Sequence, residues 1–156
     1  MTPPRWLADE MVGRLARYLR FVGCDTEYVR GLTDDQVIEK ARAEDRVILT
    51  RDRALAQRAR RVLLLDSTEI SEQFRAVRKV WPEVPAEVRF DRCSECNGRL
   101  SPYRLGSNPA REAGLPRDRL SSGLAVYGCS ACDHLYWEGS HTARIRERLA
   151  AWAREP

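Results

Sequence analysis

Cys93, Cys96, Cys129 and Cys132 fall into two Cys-x-x-Cys pairs, RCSECNG at 92–98 and GCSACDH at 128–134, separated by the 32 residues from Asn97 to Gly128. Two such pairs are a strong signature of a tetrahedral four-thiolate zinc site. With all four positions taken by sulfur the coordination is closed, so a single zinc ion here is structural. Its binding would supply folding energy to a segment too small for a large core. The second set of residues is acidic: Asp9 follows the apolar RWLA, Asp34 and Asp35 follow TEYVR, Asp52 follows RVILT, and Asp66 ends VLLLD. Clustered carboxylates resist joint ionisation unless a divalent cation or arginines compensate them. Both forms of compensation are open on the residues alone.

The elements between these residues decide whether the aspartates meet. A short strand at 5–8 leads into an amphipathic helix running to about Val22. On a helical wheel Met11, Leu15, Tyr18, Leu19 and Val22 share one side, with Arg14, Arg17 and Arg20 near the other. Gly23 is placed to stop this helix with a left-handed cap. A strand at 26–30 follows, and Cys24 before it reads as a small buried apolar residue. The TDDQ of residues 33–36 matches a capping box for a helix from about Asp34 to Ala43. The apolar run beginning at Arg46 stops at Thr50, Arg51 and Asp52, and a short helix then leads to a strand at 62–66. Ser67 or Thr68 can cap a last helix with Ile70, Phe74, Val77 and Trp81 inward, closed by Pro82.

The order β-α-β-α-β-α-β-α implies a parallel sheet covered on both faces, a small α/β domain over residues 1–81. In such a sheet the carboxyl ends of all strands share one edge, so the aspartates would gather at one rim near the topological switch point. Capping chemistry accounts for Asp34 easily and for Asp52 less well, because Asp52 follows a fully apolar strand between Arg51 and Arg53. Residues 82–91, PEVPAEVRFD, form a linker, and 92–156 hold the cysteine segment with a C-terminal helix. In that helix Ile145, Leu149 and Trp152 share a face. The stretch between the knuckles, rich in Gly, Pro, Ser and Arg, predicts a long excursion with little regular structure. Tyr136 could stack on a base; Trp137 and a lone His141 read as structural.

Composition bounds the rest. The 43% hydrophobic and 32% charged fractions describe a globular chain of 156 residues rather than a disordered one. No apolar run approaches a membrane span, and the opening MTPPRWLADE lacks a signal-peptide core, so the expectation is a cytoplasmic protein without a membrane partner. Of the 27 basic residues only Lys40 and Lys79 are lysines, which leaves 25 arginines. The planar guanidinium suits phosphate and bases, although a composition bias toward arginine would produce the same count.

The combination of ADEMVGRLARYLRFVGCD, DDQVIEKA, RVILTRDRALAQRA, RCSECN and CSACDHLYWEGSH closely resembles the PIN-like ribonucleases found at the C-terminus of Mut-seven-type exonucleases and as stand-alone prokaryotic proteins. The likeness runs from Trp6 to about His141; Val12 stands where leucine is expected and Cys24 where an aromatic is usual. It implies a three-layer PIN-like α/β fold with a fused zinc ribbon, and metal-dependent RNA cleavage. By position Asp9, Asp35 and Asp52 resemble the acidic residues of such a site, with Asp34 a near alternative to Asp35 and Asp66 added from its place on the rim. The expected cofactors are one or two Mg²⁺ or Mn²⁺ ions besides the structural zinc. Arg14, Arg17, Arg51, Arg53 and Tyr136 would contact RNA. A non-catalytic RNA-binding or ribosome-associated adaptor is the alternative, and a structural interaction module a third. Protein partners and oligomeric state are not legible.

Overall fold

The computed structural model describes residues 1–120 and 123–155. Strands β1 (Arg5–Ala8), β2 (Thr26–Tyr28), β3 (Arg46–Thr50) and β4 (Val62–Leu64) form a parallel sheet in the order β2-β1-β3-β4. Helices α1 (Gly13–Phe21), α2 (Asp34–Ala43), α3 (Arg53–Arg58) and α4 (Ile70–Val80) connect or follow these strands. The period of two sorts the strand side chains into two cores. Trp6, Ala8, Val47 and Leu49 pack on one face with Leu15 and Leu19 of α1 and Phe74 and Val77 of α4. Leu7 and Ile48 pack on the other with Val37 and Ala41 of α2 and Leu55 of α3. Each fully buried large aliphatic contributes about 1.5–3 kcal/mol by leaving water, so the central strands β1 and β3 are the most firmly specified part of the chain.

The fold is therefore three-layered α/β, as expected, with local differences. A 3-10 turn over Glu10–Val12 precedes α1, so the helix starts three residues later than the wheel assumed. That turn advances about 120° per residue instead of 100°, and Met11 leaves the packing face to lie 51% exposed. Gly23 does adopt the left-handed conformation, with φ +85°. The capping box at Thr33 and Gln36 is complete. Strand β2 is shorter than expected, and β4, at the sheet edge, is half-buried. Helix α4 starts beyond Glu69, whose N–H donates to the Ser67 hydroxyl.

The cysteine segment folds as a three-stranded antiparallel sheet, β5 (Leu100–Pro102), β6 (Val126–Cys129) and β7 (Leu135–Trp137). The excursion between the knuckles holds β5 and a short helix α5 (Arg117–Leu120), more regular structure than its composition predicts. The last helix, α6 (Ser140–Arg154), turns back onto the α/β layers. Its Ile145, Leu149 and Trp152 join the core of α1 and α4, with Trp152 4.7 Å from the Tyr18 ring. Val84 and Val88, in the stretch read as a linker, are buried in that same core. Among the described residues no helix is long and apolar enough to cross a membrane.

Candidate functional site

From β1 the chain crosses through α1 to β2 on one side, and through α2 reaches β3 on the other. The ends of β1 and β3 thus flank the switch point, where open α/β sheets leave a crevice. Asp9 directly follows β1, and its N–H donates to the Leu49 carbonyl of β3 at 3.2 Å. Its carboxylate accepts the Met11 N–H at 2.9 Å and the Thr50 hydroxyl. The same Thr50 hydroxyl accepts the Asp52 N–H at 3.0 Å, while Asp52 caps α3 by accepting from the Leu55 N–H at 3.1 Å. One buried hydroxyl therefore ties the two aspartates together, a role the apolar-run reading of RVILT did not suggest.

Asp9, Glu10, Asp34 and Asp52 line a cleft of about 80 Å³ floored by Val37 and Leu55. Burial pushes the Asp9 carboxyl above its ordinary value, and repulsion from Asp52 and Glu10 adds to this against the hydrogen bonds from Thr50 and Met11. The question of arginine compensation has a divided answer. Asp35 is bonded to Arg58, whose other nitrogen is 3.7 Å from Asp34, and Asp66 pairs with Arg53 at 3.1 Å. Among the described residues Asp9 and Asp52 have no ion-pair partner. Asp35 and Asp66 lie outside the cleft lining; Asp34 and Glu10 are within it. Glu10, one residue beyond Asp9, is in the cleft lining although no motif marks it.

The arginines are distributed as unevenly. Arg14 is exposed, Arg17 pairs with Glu95 at 2.9 Å, Arg53 is held by Asp66, and the Nε of Arg51 is buried without a hydrogen-bond partner. Arg20, placed by the wheel on the cationic side, is only 5% exposed. It donates to the Thr26 carbonyl at 2.8 Å and to the Ser94 and Glu95 carbonyls at 3.0 and 3.2 Å, joining α1 to the first knuckle.

The four cysteine sulfurs lie within 4.8 Å of one another, Cys93 to Cys132 at 3.7 Å and Cys96 to Cys129 at 3.4 Å. A tetrahedral ion with metal–sulfur bonds of about 2.3 Å holds sulfurs roughly 3.8 Å apart, so the donors fit a metal ion and suit zinc. Burial and the neighbouring sulfurs push the Cys132 thiol up to about 12, while Cys129, despite burial, is held at about 7 by the Ala131 N–H and Cys96. All four could be thiolates together only around a cation. The surroundings are built to hold them. The Tyr136 hydroxyl lies 3.0 Å from the Cys93 sulfur and accepts the Ser94 N–H at 3.1 Å, which commits this side chain to the knuckle. Asn97, at φ +68°, accepts the Thr26 N–H at 2.9 Å and donates to Asp25 at 2.8 Å. Arg111, from the long excursion, donates to the carbonyls of Cys129 and Asp133, both at 3.0 Å. A Cβ on Gly98 would fall 2.7 Å from the Cys129 sulfur, so only glycine fits there.

The model of the family described as Mut7-C RNAse domain matches residues 4–149. No curated protein and no solved structure matches the chain.

Proposed function

Because the chain belongs to the Mut7-C RNAse domain family, we propose that it is a metal-dependent ribonuclease of PIN-like fold, acting at the cleft between β1 and β3. The observation that carries this reading is the pair Asp9 and Asp52. They are tied through Thr50, free of arginine partners among the described residues, and line a cleft of about 80 Å³. Carboxylate and hydroxyl oxygens are hard donors, suited to Mg²⁺ or Mn²⁺. Such an ion, when bound, supplies the Lewis acidity that activates water and stabilises charge on the leaving oxygen. Asp9 and Asp52 would hold it, with Asp34 and Glu10 also in the cleft lining; Thr50 fixes the Asp9 carboxylate. Asp35 acts at one remove, by holding Arg58 beside Asp34, and Asp66 by holding Arg53.

Arg51 would position the phosphodiester for in-line attack, with Arg53 recruited from its acidic partner, while Arg14 and Arg17 would hold the strand farther along α1. The cysteine cluster holds zinc and fixes the second sheet, with Tyr136 bracing its sulfur. Thiols kept for a metal suit a reducing cytoplasm.

The test is incubation of purified protein with mixed single-stranded and structured RNAs, with and without Mn²⁺, beside Asp9→Asn and Asp52→Asn. Cleavage should depend on Mn²⁺ and fall at least a hundredfold in each variant. Cleavage without added divalent ion, or surviving both substitutions, would refute the proposal. RNA binding without cleavage would support the adaptor instead.

A further inference from the structure

Along α1, beyond the acidic cleft, α6 closes a second depression of about 270 Å³. Arg14, Arg17, Arg144, Arg148 and His141 line it over Tyr18, Phe21 and Ile145, and no carboxylate is in the lining. Four guanidinium groups, which stay charged at any physiological pH, thus share one lining. Packing of Ile145, Leu149 and Trp152 into the α1 and α4 core forces these like charges together, an arrangement that an anion would relieve. Arg148 donates to the Tyr18 hydroxyl at 3.0 Å and Arg17 pairs with Glu95, whereas among the described residues Arg14 and Arg144 have no hydrogen-bond or ion-pair partner. The half-buried Phe21 ring lies 6.2 Å from His141 and 6.0 Å from the Arg17 guanidinium.

The basic cleft and the acidic one are neighbours along the 3-10 turn and α1, with a third depression next to both. This depression, of about 310 Å³, shares Glu10 and Met11 with the acidic cleft and Arg14 with the basic cleft. Helix α1, Gly13–Phe21, rises about 12 Å, the span of roughly three stacked nucleotides.

We propose that the α1/α6 cleft is a binding site for the backbone phosphates of single-stranded RNA, holding the strand beside the linkage presented to Asp9 and Asp52. This rests on the nuclease reading for its substrate, but the cleft binds whether or not the acidic site cuts. Arg14 and Arg144 are the principal phosphate contacts, and Phe21 with His141 forms the edge on which a base rests.

The experiment measures fluorescence anisotropy of a labelled single-stranded RNA decamer with the full-length protein, without added divalent ion, across a salt series. Arg14→Ala/Arg144→Ala should weaken binding at least tenfold and flatten the slope of log affinity against log salt by about 1.4, for two single-strand phosphate contacts. A control pair at exposed positions elsewhere, Arg60→Ala/Arg104→Ala, removes the same charge and should change affinity less than twofold. Equal melting temperatures establish that both pairs are folded. Equal weakening by the two pairs, no weakening by the first, or competition by poly-glutamate as strong as by unlabelled RNA would overturn the proposal. The nuclease reading fails separately. No cleavage with Mn²⁺ in a protein that binds RNA through Arg14 and Arg144 leaves the cleft standing; cleavage at subsaturating RNA that ignores this pair does the reverse.

Discussion

The cysteine cluster and the acidic cleft are both gatherings of side chains of types that can ligate a metal, and they are built in opposite ways. The cysteines are closed: four sulfurs within 4.8 Å, with Tyr136 on one of them and Asn97, Arg20 and Arg111 fastening the loops that carry them. The acidic cleft is open, and a single hydroxyl, that of Thr50, organises its two central carboxylates. Among the described residues no three carboxylates are drawn together as the sulfurs are. A closed set satisfies its ion completely and returns stability to the fold. An open set leaves charge uncompensated, a standing cost tolerated where a substrate must enter.

If that contrast is right, losing a ligand should have opposite consequences at the two places. Cys93→Ser, or treatment with a strong metal chelator, should have the largest effect on stability, of order 5 kcal/mol or more. Hydrogen exchange should show amides across 92–137 losing protection while β1 and β3 keep theirs, and unchanged protection would break the comparison. Arg20→Ala comes next, at about 3 kcal/mol by denaturant unfolding, because the carbonyls of Thr26, Ser94 and Glu95 lose their buried donor.

A smaller effect is expected at Asp25, which joins the first knuckle to the start of β3 through Arg46, Asn97 and Arg92. Burial raises its pKa, yet the hydrogen bonds from Arg46 and Asn97 and the charges of Arg46 and Arg92 prevail and hold it below the ordinary value. A depressed carboxyl contributes stability that is present above the unfolded value, near 3.9, and lost as pH falls through the folded one. Asp25→Asn should therefore lower stability at neutral pH and remove part of its decline on acidification, as read from melting temperatures between pH 6 and 3. Asp9→Asn should be the mildest. The raised Asp9 pKa means that its charge costs stability as pH rises, so neutralising it should leave the melting free energy within about 1 kcal/mol of wild type or slightly higher. Cleavage should nevertheless be lost.

The regions also differ in how far sequence alone describes them. Spacing was enough for the four cysteines, since Cys-x-x-Cys pairs act through local loop geometry. Alternating apolar strands with single helices gave the layer order and the rim that Asp9 and Asp52 share. A helical wheel, however, orients residues only about their own axis. It could not show that a knuckle some 75 residues later covers Arg20, nor that a 3-10 turn would swing Met11 outward. The adjacent Asp34 and Asp35 differ by one helical step, and only the docking of α2 puts Asp34 in the cleft and Asp35 on Arg58. Thr50 looked like the end of an apolar run because its hydrogen bonds cross between strands 41 residues apart in sequence. In the excursion between the knuckles, Arg111 had no motif to mark it as the donor that closes the second knuckle.

The central claim, that the β1/β3 cleft is an open cation site built on Asp9 and Asp52, is tested most directly by titrating Mn²⁺ into the full-length protein and following free Mn²⁺ by electron paramagnetic resonance. Wild-type protein should take up Mn²⁺, and Asp9→Asn and Asp52→Asn should each abolish that uptake without altering zinc content. Identical Mn²⁺ uptake by wild type and both variants would contradict the account.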